Sequence, residues 1–390
     1  MNNSKTIIKL LPVLGTFFVM GFCDIVGITS DYMQFSFGWS STMTGFVPSF
    51  VFIWFFFLAI PFSNLMNRIG RKRTVLTSEI ITIVGMFLPL VKFSSATCLT
   101  AYILLGIGNA MLQVSLNPLL QNVVVNNKLM ASSLTAGQVI KAISSLLGPE
   151  FVIFASSHFG EDHWYYCFPL LGFITIISSL WLGFTPIVRE PLNPTHSSMR
   201  TALSLFSDKI ILLLFLGIFF IVGIDVGTNF LSSKIMATRF SWTPDQVKFA
   251  PQVYFLCRTI GAMLGVIMLA KVNAGKYFRI NIIATVMALL VLAFVKSPMT
   301  DMICIGAVGF FSSSVFSIIY SMAFEECSDH INEVSGLMIT AIAGGAFIPP
   351  VIGFFIDNFG LSSAIPVILV CALYLTYCAF CIRIGNHNNK

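Results

Sequence analysis

The stretch "FFVMGFCDIVG" (Phe17–Gly27) places a carboxylate, Asp24, inside the first long apolar run of the chain. A second stretch, "FFIVGIDVG" (Phe219–Gly227), repeats the pattern around Asp225 at the start of the second half. Matching stretches at matching positions indicate two related halves. Each acid falls where a membrane span is expected, and ionisable groups there are costly and usually functional.

Composition indicates that lipid is the solvent of this protein. Of its 390 residues, 56% are hydrophobic and only 10% are charged. Soluble proteins carry about 25% charged residues, so the deficit points to an integral, multi-pass membrane protein. The nine cysteines show neither paired spacing nor companion histidines, and we expect buried packing thiols with no disulfide framework and no metal site.

Helices that cross a hydrocarbon core of about 30 Å need about 20 residues each. The apolar runs predict twelve such spans, near residues 8–30, 44–66, 74–95, 97–125, 130–157, 165–187, 209–235, 245–271, 278–297, 300–325, 333–358 and 362–384. The hydrophilic stretch "REPLNPTHSSMR" (Arg189–Arg200) separates the first six spans from the last six. We therefore predict an all-α protein with one six-helix bundle over residues 1–188, a cytoplasmic linker over 189–208 and a second bundle over 209–390.

The distribution of positive charge predicts the orientation. With the N-terminus inside, 15 of the 22 Lys and Arg residues fall in cytoplasmic segments and five fall outside. Because cytoplasmic loops carry the excess of Lys and Arg, both termini are expected in the cytoplasm. We expect the protein in the cell (inner) membrane.

A second internal similarity lies in the fifth span of each half. "ASSLTAGQVIKAISSLLGPEF" (Ala131–Phe151) is echoed by "VSGLMITAIAGGAFIPPVIGF" (Val334–Phe354). Chance similarity between apolar segments is the alternative, but the matching position within each half favours a true repeat. Parallel repeats of six helices are typical of transporters whose substrate site lies between the halves near the membrane midplane.

The loop "NLMNRIGRKRT" (Asn64–Thr74) resembles the signature that the major facilitator superfamily carries between its second and third helices. That signature has an Asp where this chain has Asn67, and a Gly where it has Ser63. The resemblance implies a conformational latch that holds neighbouring helix ends by charge and dipole contacts in one state and releases them in the other. The latch residues implied are Arg68, Gly70, Arg71 and Lys72.

Further stretches resemble the fucose-type sugar–proton symporters of that superfamily. They are "LQVSLNPLL" (Leu112–Leu120), "AGQVIKAISS" (Ala136–Ser145), "FLCRTIGA" (Phe255–Ala262) and "FSIIYSMAF" (Phe316–Phe324). The resemblance implies the superfamily fold, a sugar substrate and proton-linked acids in helices one and four.

The departures from that pattern mean that the coupling scheme does not transfer directly. The helix-four acid is replaced by Gln113, and the helix-one acid is one turn early, at Asp24. Lys141 stands where the family has an Asn in helix five, and Asp225 stands where it has a Gln in helix seven.

Four ionisable residues lie well inside predicted spans: Asp24, Lys141, Asp225 and Arg258. Such groups normally face a cavity or a partner. Asp24 and Lys141 belong to neighbouring helices of the resembled fold, and we hypothesise that they pair or compete for one proton. With Asp225 they form the expected proton-coupling group, although a permanent structural ion pair would look the same. Arg258 is expected to tie the eighth helix to a neighbour.

Uncharged polar residues form the expected substrate-binding set. Amides and phenols donate and accept hydrogen bonds without charge, as a hydroxyl-rich ligand requires. A helix-packing role is the alternative, above all for Asn117, because the adjacent Pro118 frees a carbonyl that needs a polar neighbour. The set comprises Gln113, Gln138, Lys141, Asn109, Asn117, Gln252 and Tyr320.

The sequence contains no phosphate-binding loop, zinc-protease motif or serine elbow, so we expect no enzyme activity and no cofactor. The basic cluster of residues 68–73 fits positive-inside anchoring better than nucleic-acid binding. We predict a monomeric secondary active transporter that imports a monosaccharide or similar small polyol by alternating access and proton symport. The alternatives are a proton-coupled efflux antiporter for amphipathic compounds, consistent with Gly148–Pro149 in helix five, and sodium-coupled or uncoupled transport of a sugar or sugar acid.

Overall fold

The structure, a computed structural model, describes residues 3–25, 29, 32–33, 36–38, 47–124, 129–190, 199–242, 246 and 249–382. Helices dominate these residues and no strand occurs among them. The predicted spans 8–30, 44–66, 97–125, 245–271 and 362–384, and the linker 189–208, each extend partly outside the described residues.

Six long helices form the first half. They are α1 (Asn3–Met20), α2 (Val47–Ile69), α3 (Arg71–Val91), α4 (Ser95–Val123), α5 (Met130–Phe159) and α6 (Cys167–Phe184). A 3-10 turn over Gly21–Ile25 follows α1, and a second over Glu161–Tyr166 precedes α6. The short helix Met199–Ser204 lies within the predicted linker, residues 189–208.

The second half repeats this order, with two helices interrupted. It contains α7 (Lys209–Phe240), α8 (Phe249–Lys271), α9 (Ala274–Phe294), α10a (Pro298–Ser312), α10b (Val315–Glu326), α11a (Ile331–Thr340), α11b (Gly344–Phe359) and α12 (Ala364–Cys381). The interruption of the eleventh helix is a 3-10 turn over Ala341–Ala343.

In the described part of the chain, eleven helical stretches are long and apolar enough to cross a membrane. They correspond to the second to twelfth predicted spans. The first predicted span is described as α1 and the turn that follows it, up to Ile25. The all-helical, multi-span architecture expected from the apolar runs is therefore confirmed.

Local sequence determines where several helices begin. The Ser94 side chain caps α4 and exchanges hydrogen bonds with Thr97 in a capping box. Asp208 caps α7 by accepting from the backbone N–H groups of Ile210 and Ile211. Between α2 and α3, Gly70 has φ +92°, a conformation that favours glycine, so the chain turns there without strain.

Contacts divide the chain into two compact units. Unit 1 comprises Met1–Asn127, Gly137–Ser204 and His330–Thr340, and unit 2 comprises Lys128–Ala136, Leu205–Asp329 and Ala341–Lys390. The division differs from a simple boundary at the linker, because the start of α5 belongs to unit 2 and α11a belongs to unit 1. For α11, the 3-10 turn lets the two parts of the helix pack separately.

In unit 1, α4 is the central helix. It packs along α3 and α2 and also contacts α1 and α11a, while α6 packs against α1 and α3. In unit 2, α8 and α9 pack on α10a, while α7 contacts α10b, α11b and α12. Side chains of α4 are buried through most of its length, which explains how it carries several amides inside an apolar protein.

Candidate functional site

The first helix breaks where the sequence places Asp24. Helix α1 ends at Met20 and the chain continues as a 3-10 turn over Gly21–Ile25. A side chain at Gly21 would put a Cβ 2.6 Å from the Lys141 carbonyl oxygen and 2.6 Å from Ser144 Cβ. Glycine therefore allows the broken end of α1 to lie directly against α5. Interrupted helices at membrane depth are tolerated where they line a cavity or are buried in protein.

Asp24 bonds to α5 through a serine. Ser145 Oγ donates to Asp24 Oδ2 at 2.5 Å and lies 3.0 Å from the Lys141 carbonyl oxygen. Within the described residues no ion pair joins Asp24 to Lys141, so the direct contact hypothesised from the sequence is replaced by a hydroxyl one turn further along α5. Both charges still lie close enough to act electrostatically on Cys23.

Three amides predicted to bind substrate form a ladder along α4. Asn109 Nδ2 donates to the Met20 carbonyl oxygen at 2.8 Å, at the point where α1 breaks. Gln113 Nε2 donates to Asn109 Oδ1 at 2.8 Å, and Asn117 Nδ2 donates to the Gln113 carbonyl oxygen at 3.2 Å. All three side chains are buried. In this geometry, Asn109 and Gln113 hold the break in α1 in place.

The polar neighbour of the proline in α4 is a serine. Pro118 has no N–H, so it leaves the Val114 carbonyl oxygen without its helical partner. Ser335 Oγ of α11a donates to that oxygen at 2.5 Å. The sequence suggested Asn117 for this role, but Asn117 bonds within α4, and its Oδ1 has no hydrogen-bond partner among the described residues.

The second-half acid is held by two residues of α8. Arg258 Nη2 lies 2.9 Å from Asp225 Oδ2, and the Tyr254 hydroxyl donates to Asp225 Oδ1 at 2.5 Å. Arg258 thus ties α8 to α7, as the sequence suggested. Tyr254 was missed, although its place one helical turn before Arg258 puts both on the same face of α8.

The remaining predicted binding residues occupy different environments. Gln138 and Lys141 are half-buried on α5, and Gln138 forms no side-chain hydrogen bond with a described residue. Gln252 is exposed on α8. Tyr320 of α10b is fully buried, with its ring between those of Phe316 and Phe324.

The predicted latch is a cluster of helix ends in unit 1. Arg71 donates from Nε to Asn332 Oδ1 at 2.9 Å and from Nη1 to the Pro118 carbonyl oxygen at 3.1 Å and to Asn122. Lys72 Nζ donates to the Gly183 and Thr185 carbonyl oxygens at the end of α6, at 2.9 and 2.7 Å. A cation suits these unpaired carbonyls. Arg68 is exposed.

Asn67 takes part in this cluster although it departs from the resembled signature. Its Nδ2 donates to Glu333 Oε1, and its Oδ1 accepts from Asn332 Nδ2 at 2.5 Å. An Asp could not donate to Glu333, so the amide suits a carboxylate on α11a. This contact could not be predicted from the sequence, because Asn67 and Glu333 lie 266 positions apart.

The described residues contain no group of three or more His, Cys, Asp or Glu side chains that could hold a metal ion. All nine cysteines are free thiols.

Comparison with known proteins extends over almost the whole chain. A Helicobacter pylori protein (strain ATCC 700392 / 26695), provisionally named a glucose/galactose transporter, is 26% identical and covers 97% of this chain and 98% of its own length. The glucose/galactose transporter of Brucella abortus biovar 1 (strain 9-941) is 24% identical over 93% of this chain and 90% of its own length.

Solved structures share the fold. The transporter FucP in an outward conformation superposes with a TM-score of 0.85 at 16% identity, over 96% of this chain and 99% of its own. The proton:xylose symporter XylE superposes with a TM-score of 0.77 at 13% identity, over 97% of this chain and 95% of its own. The sequence profile of the Major Facilitator Superfamily matches residues 13–350. The chain belongs to the Major Facilitator Superfamily and is a multi-pass membrane transporter.

Proposed function

We propose that the protein imports a monosaccharide or similar small polyol by alternating access, as a secondary active transporter coupled to protons. The observation that carries this proposal is the full-length similarity to proteins named as glucose/galactose transporters. The fold shared with FucP and with the proton:xylose symporter XylE is consistent with it.

The substrate contacts that we propose start at one face of α5. Gln138, Lys141 and Ser145 are spaced at i, i+3 and i+7, which places them on a single side of the helix. Asp24 is bonded to that side. An amide, an ammonium group, a hydroxyl and a carboxylate can bind several hydroxyl groups of a sugar. Asn109 and Gln113 support this face through the break in α1, and Asn117, Gln252 and Tyr320 stay predicted substrate-binding residues.

For coupling, we propose that Asp24 accepts the proton, with Lys141 and Asp225 as the charges that respond to it. Asp24 is exposed and its hydrogen-bonding partner on α5 is a neutral hydroxyl, so protonation does not break an ion pair of the carboxylate. Protonation removes a negative charge from the neighbourhood of Lys141. Asp225 forms an ion pair with Arg258, so we propose that Asp225 responds to the proton through a change in this ion pair.

The proposal also includes the halves and their setting. The halves that alternate are residues 1–188 and 209–390, joined by the cytoplasmic linker 189–208, with both termini in the cytoplasm. The latch comprises Arg68, Gly70, Arg71 and Lys72. A monomer in the cell (inner) membrane is the working unit.

The decisive experiment is uptake of a panel of radiolabelled sugars into proteoliposomes under an inward pH gradient, an inward sodium gradient or neither. We expect one or more hexoses to accumulate under the pH gradient alone. Accumulation driven only by sodium would replace the proton as the coupling ion. If no sugar accumulates or exchanges under any gradient, the sugar proposal fails, and extrusion of amphipathic compounds becomes the function to test.

Asp24→Asn is the variant that tests proton coupling in the same uptake experiment. It keeps the hydrogen bond with Ser145 but cannot change charge, so we expect pH-driven accumulation to be lost while sugar counterflow continues. Ser145→Ala is the control, because it removes the bond and keeps the carboxylate. Unchanged pH-driven accumulation in Asp24→Asn would exclude Asp24 as the coupling residue.

Lys141 supports one variation of the substrate. It has no ion-pair partner among the described residues and is half-buried, so its ammonium group is suited to a carboxylate on the ligand. A sugar acid would therefore compete with the neutral sugar in wild-type counterflow. Lys141→Gln should lose this competition and keep neutral-sugar exchange, whereas equal competition in both proteins excludes the variation.

A further inference from the structure

A carboxylate that takes no part in the proposed site is completely buried between three helices of unit 1. Glu79 of α3 has no exposed surface. Its Oε1 lies 2.9 Å from Ser178 Oγ of α6, and its Oε2 has no hydrogen-bond partner among the described residues. Lys72 bonds to the end of α6 and so marks the ends of the two spans α3 and α6. Glu79 is seven residues further into α3, which places it inside the membrane.

No positive charge among the described side chains compensates Glu79. The described titratable side chains around Glu79 are those of the turn Glu161–Tyr166, Arg71, Lys72 and Arg73 of α3 itself, Arg68 of α2, Cys98 and Tyr102 of α4, Cys167 of α6, and Lys9 of α1, which packs on α6. None of these groups is among the electrostatic influences on Glu79, which are burial and serine hydroxyls of α6. An ionised carboxylate without a cation in such a place is strongly disfavoured, and a neutral acid is the form that can be buried there.

The surrounding hydroxyls suit a neutral acid. Ser178 Oγ lies 3.4 Å from Thr16 Oγ1, and Thr16 Oγ1 donates to the Pro12 carbonyl oxygen at 3.0 Å. A protonated Glu79 can donate to Ser178, Ser178 can then donate to Thr16, and the chain ends at a backbone acceptor. An ionised Glu79 instead accepts from Ser178 at Oε1, while its Oε2 has no hydrogen-bond partner among the described residues. The arrangement of donors and acceptors thus has a place for one additional proton.

We propose that Glu79, Ser178 and Thr16 form a proton-binding site inside unit 1 whose occupancy holds α1, α3 and α6 together. The packed state binds one proton at Glu79. The state in which water reaches this carboxylate releases the proton, so rising pH loosens the packing of the three helices. This site is separate from Asp24 and does not depend on which substrate is transported.

The test measures the melting temperature of the purified full-length protein in detergent from about pH 6 to about pH 9, in sodium-free buffer. Wild type should lose stability towards alkaline pH. Glu79→Gln, an isosteric neutral side chain, should remove a part of that loss. Thr82→Val is the control one turn along α3, since among the described residues its hydroxyl bonds only to the Ser78 carbonyl oxygen of its own helix. It should keep the wild-type profile. An unchanged alkaline loss in Glu79→Gln overturns the proposal.

Two further measurements keep the proposal testable if Glu79→Gln folds poorly. In the proposed chain Ser178→Ala removes the hydroxyl that accepts from the protonated acid, so its alkaline loss should move to lower pH. A shift to higher pH would mean that Ser178 serves the ionised acid as a donor, and it contradicts the proposed chain. Infrared spectra of wild type at neutral pH should contain a protonated-carboxyl band that disappears at alkaline pH and is absent from Glu79→Gln. If the band is absent from wild type, or if added sodium at constant pH stabilises wild type and not Glu79→Gln, the site does not hold a proton.

Discussion

The start of α5 and the start of α11 occupy equivalent places in the two halves, yet they are anchored by different chemistry. In the repeat, Ser132 aligns with Ser335. Ser132 Oγ donates to the Val266 carbonyl oxygen of α8 at 2.7 Å within unit 2, and Ser335 Oγ donates to the Val114 carbonyl oxygen of α4 at 2.5 Å within unit 1. The serine is thus a shared anchor of both halves.

The difference lies in what surrounds that anchor. Helix α11a adds Asn332 and Glu333, which bond to Asn67 and Arg71 of unit 1. In the described part of the chain, the start of α5 has no ion pair or charged hydrogen bond of this kind. The two repeats therefore share a neutral serine contact to a backbone carbonyl, and the charged network is present at α11a and not at the described start of α5. We expect α11a to be held more tightly, and more dependent on polar residues, than the start of α5.

Arg71→Ala should give the largest effect. It leaves acceptors at Asn332, Pro118 and Asn122 without their donor, which should cost about 3 kcal/mol in the local stability of α11a. Amide hydrogen exchange over residues 331–340 should then be about 100-fold faster, with little change over 129–136. Arg71→Lys should recover only part of the loss, because an ammonium group cannot reproduce the planar fork. Equal acceleration of both segments would contradict the asymmetry.

Asn67→Asp should have an intermediate effect, near 2 kcal/mol, because it sets a second carboxylate against Glu333 and removes the amide that donates to it. Adding Glu333→Gln to this variant restores the hydrogen bond in the reverse direction, with the Gln amide donating to the Asp carboxylate. The double variant should exchange at nearly the wild-type rate over residues 331–340, and the coupling between the two changes is read from the double-mutant cycle. Additive single effects would show that the two side chains act independently.

Ser335→Ala and Ser132→Ala should give the smallest effects, about 1 kcal/mol each, because each removes one neutral hydrogen bond. Ser335→Ala should be the more costly of the two, since Pro118 leaves Val114 without another donor, whereas Val266 lies in a helix with no nearby proline. Hydrogen exchange of the respective segments measures both. A larger effect for Ser132→Ala would mean that the serines are not equivalent anchors.

Much of the fold could be predicted from the sequence because lipid imposes a simple rule. A span must be apolar, helical and about 20 residues long, so the apolar runs mark the helices directly. The breaks were harder to predict. The interruption after Met20 depends on Asn109, which donates to the Met20 carbonyl oxygen, and on Gly21, which fits against α5. Both contacts join distant parts of the chain.

The residues of the candidate site could largely be predicted from their types, whereas their bonding partners were harder to predict. Asp24, Lys141, Asp225 and Arg258 stand out because charge is rare in spans, and one expected tie, that of Arg258, is present. The sequence does not reveal that Ser145 is the partner of Asp24, since serine is ordinary in membrane helices. Glu79 does not stand out in the sequence, because the helix to which it belongs begins with three basic residues.

The amide ladder of α4 has a consequence for how the protein is made. In isolation, Gln113 and Asn117 can still donate to acceptors within α4, but the Nδ2 group of Asn109 has lost its acceptor, so the helix enters a bilayer reluctantly. The acceptor for Asn109 is the carbonyl oxygen of Met20, in a helix that leaves the ribosome earlier. Insertion of α4 is therefore most favourable once α1 is already in the membrane, so the order of synthesis matches the order in which the polar groups need each other.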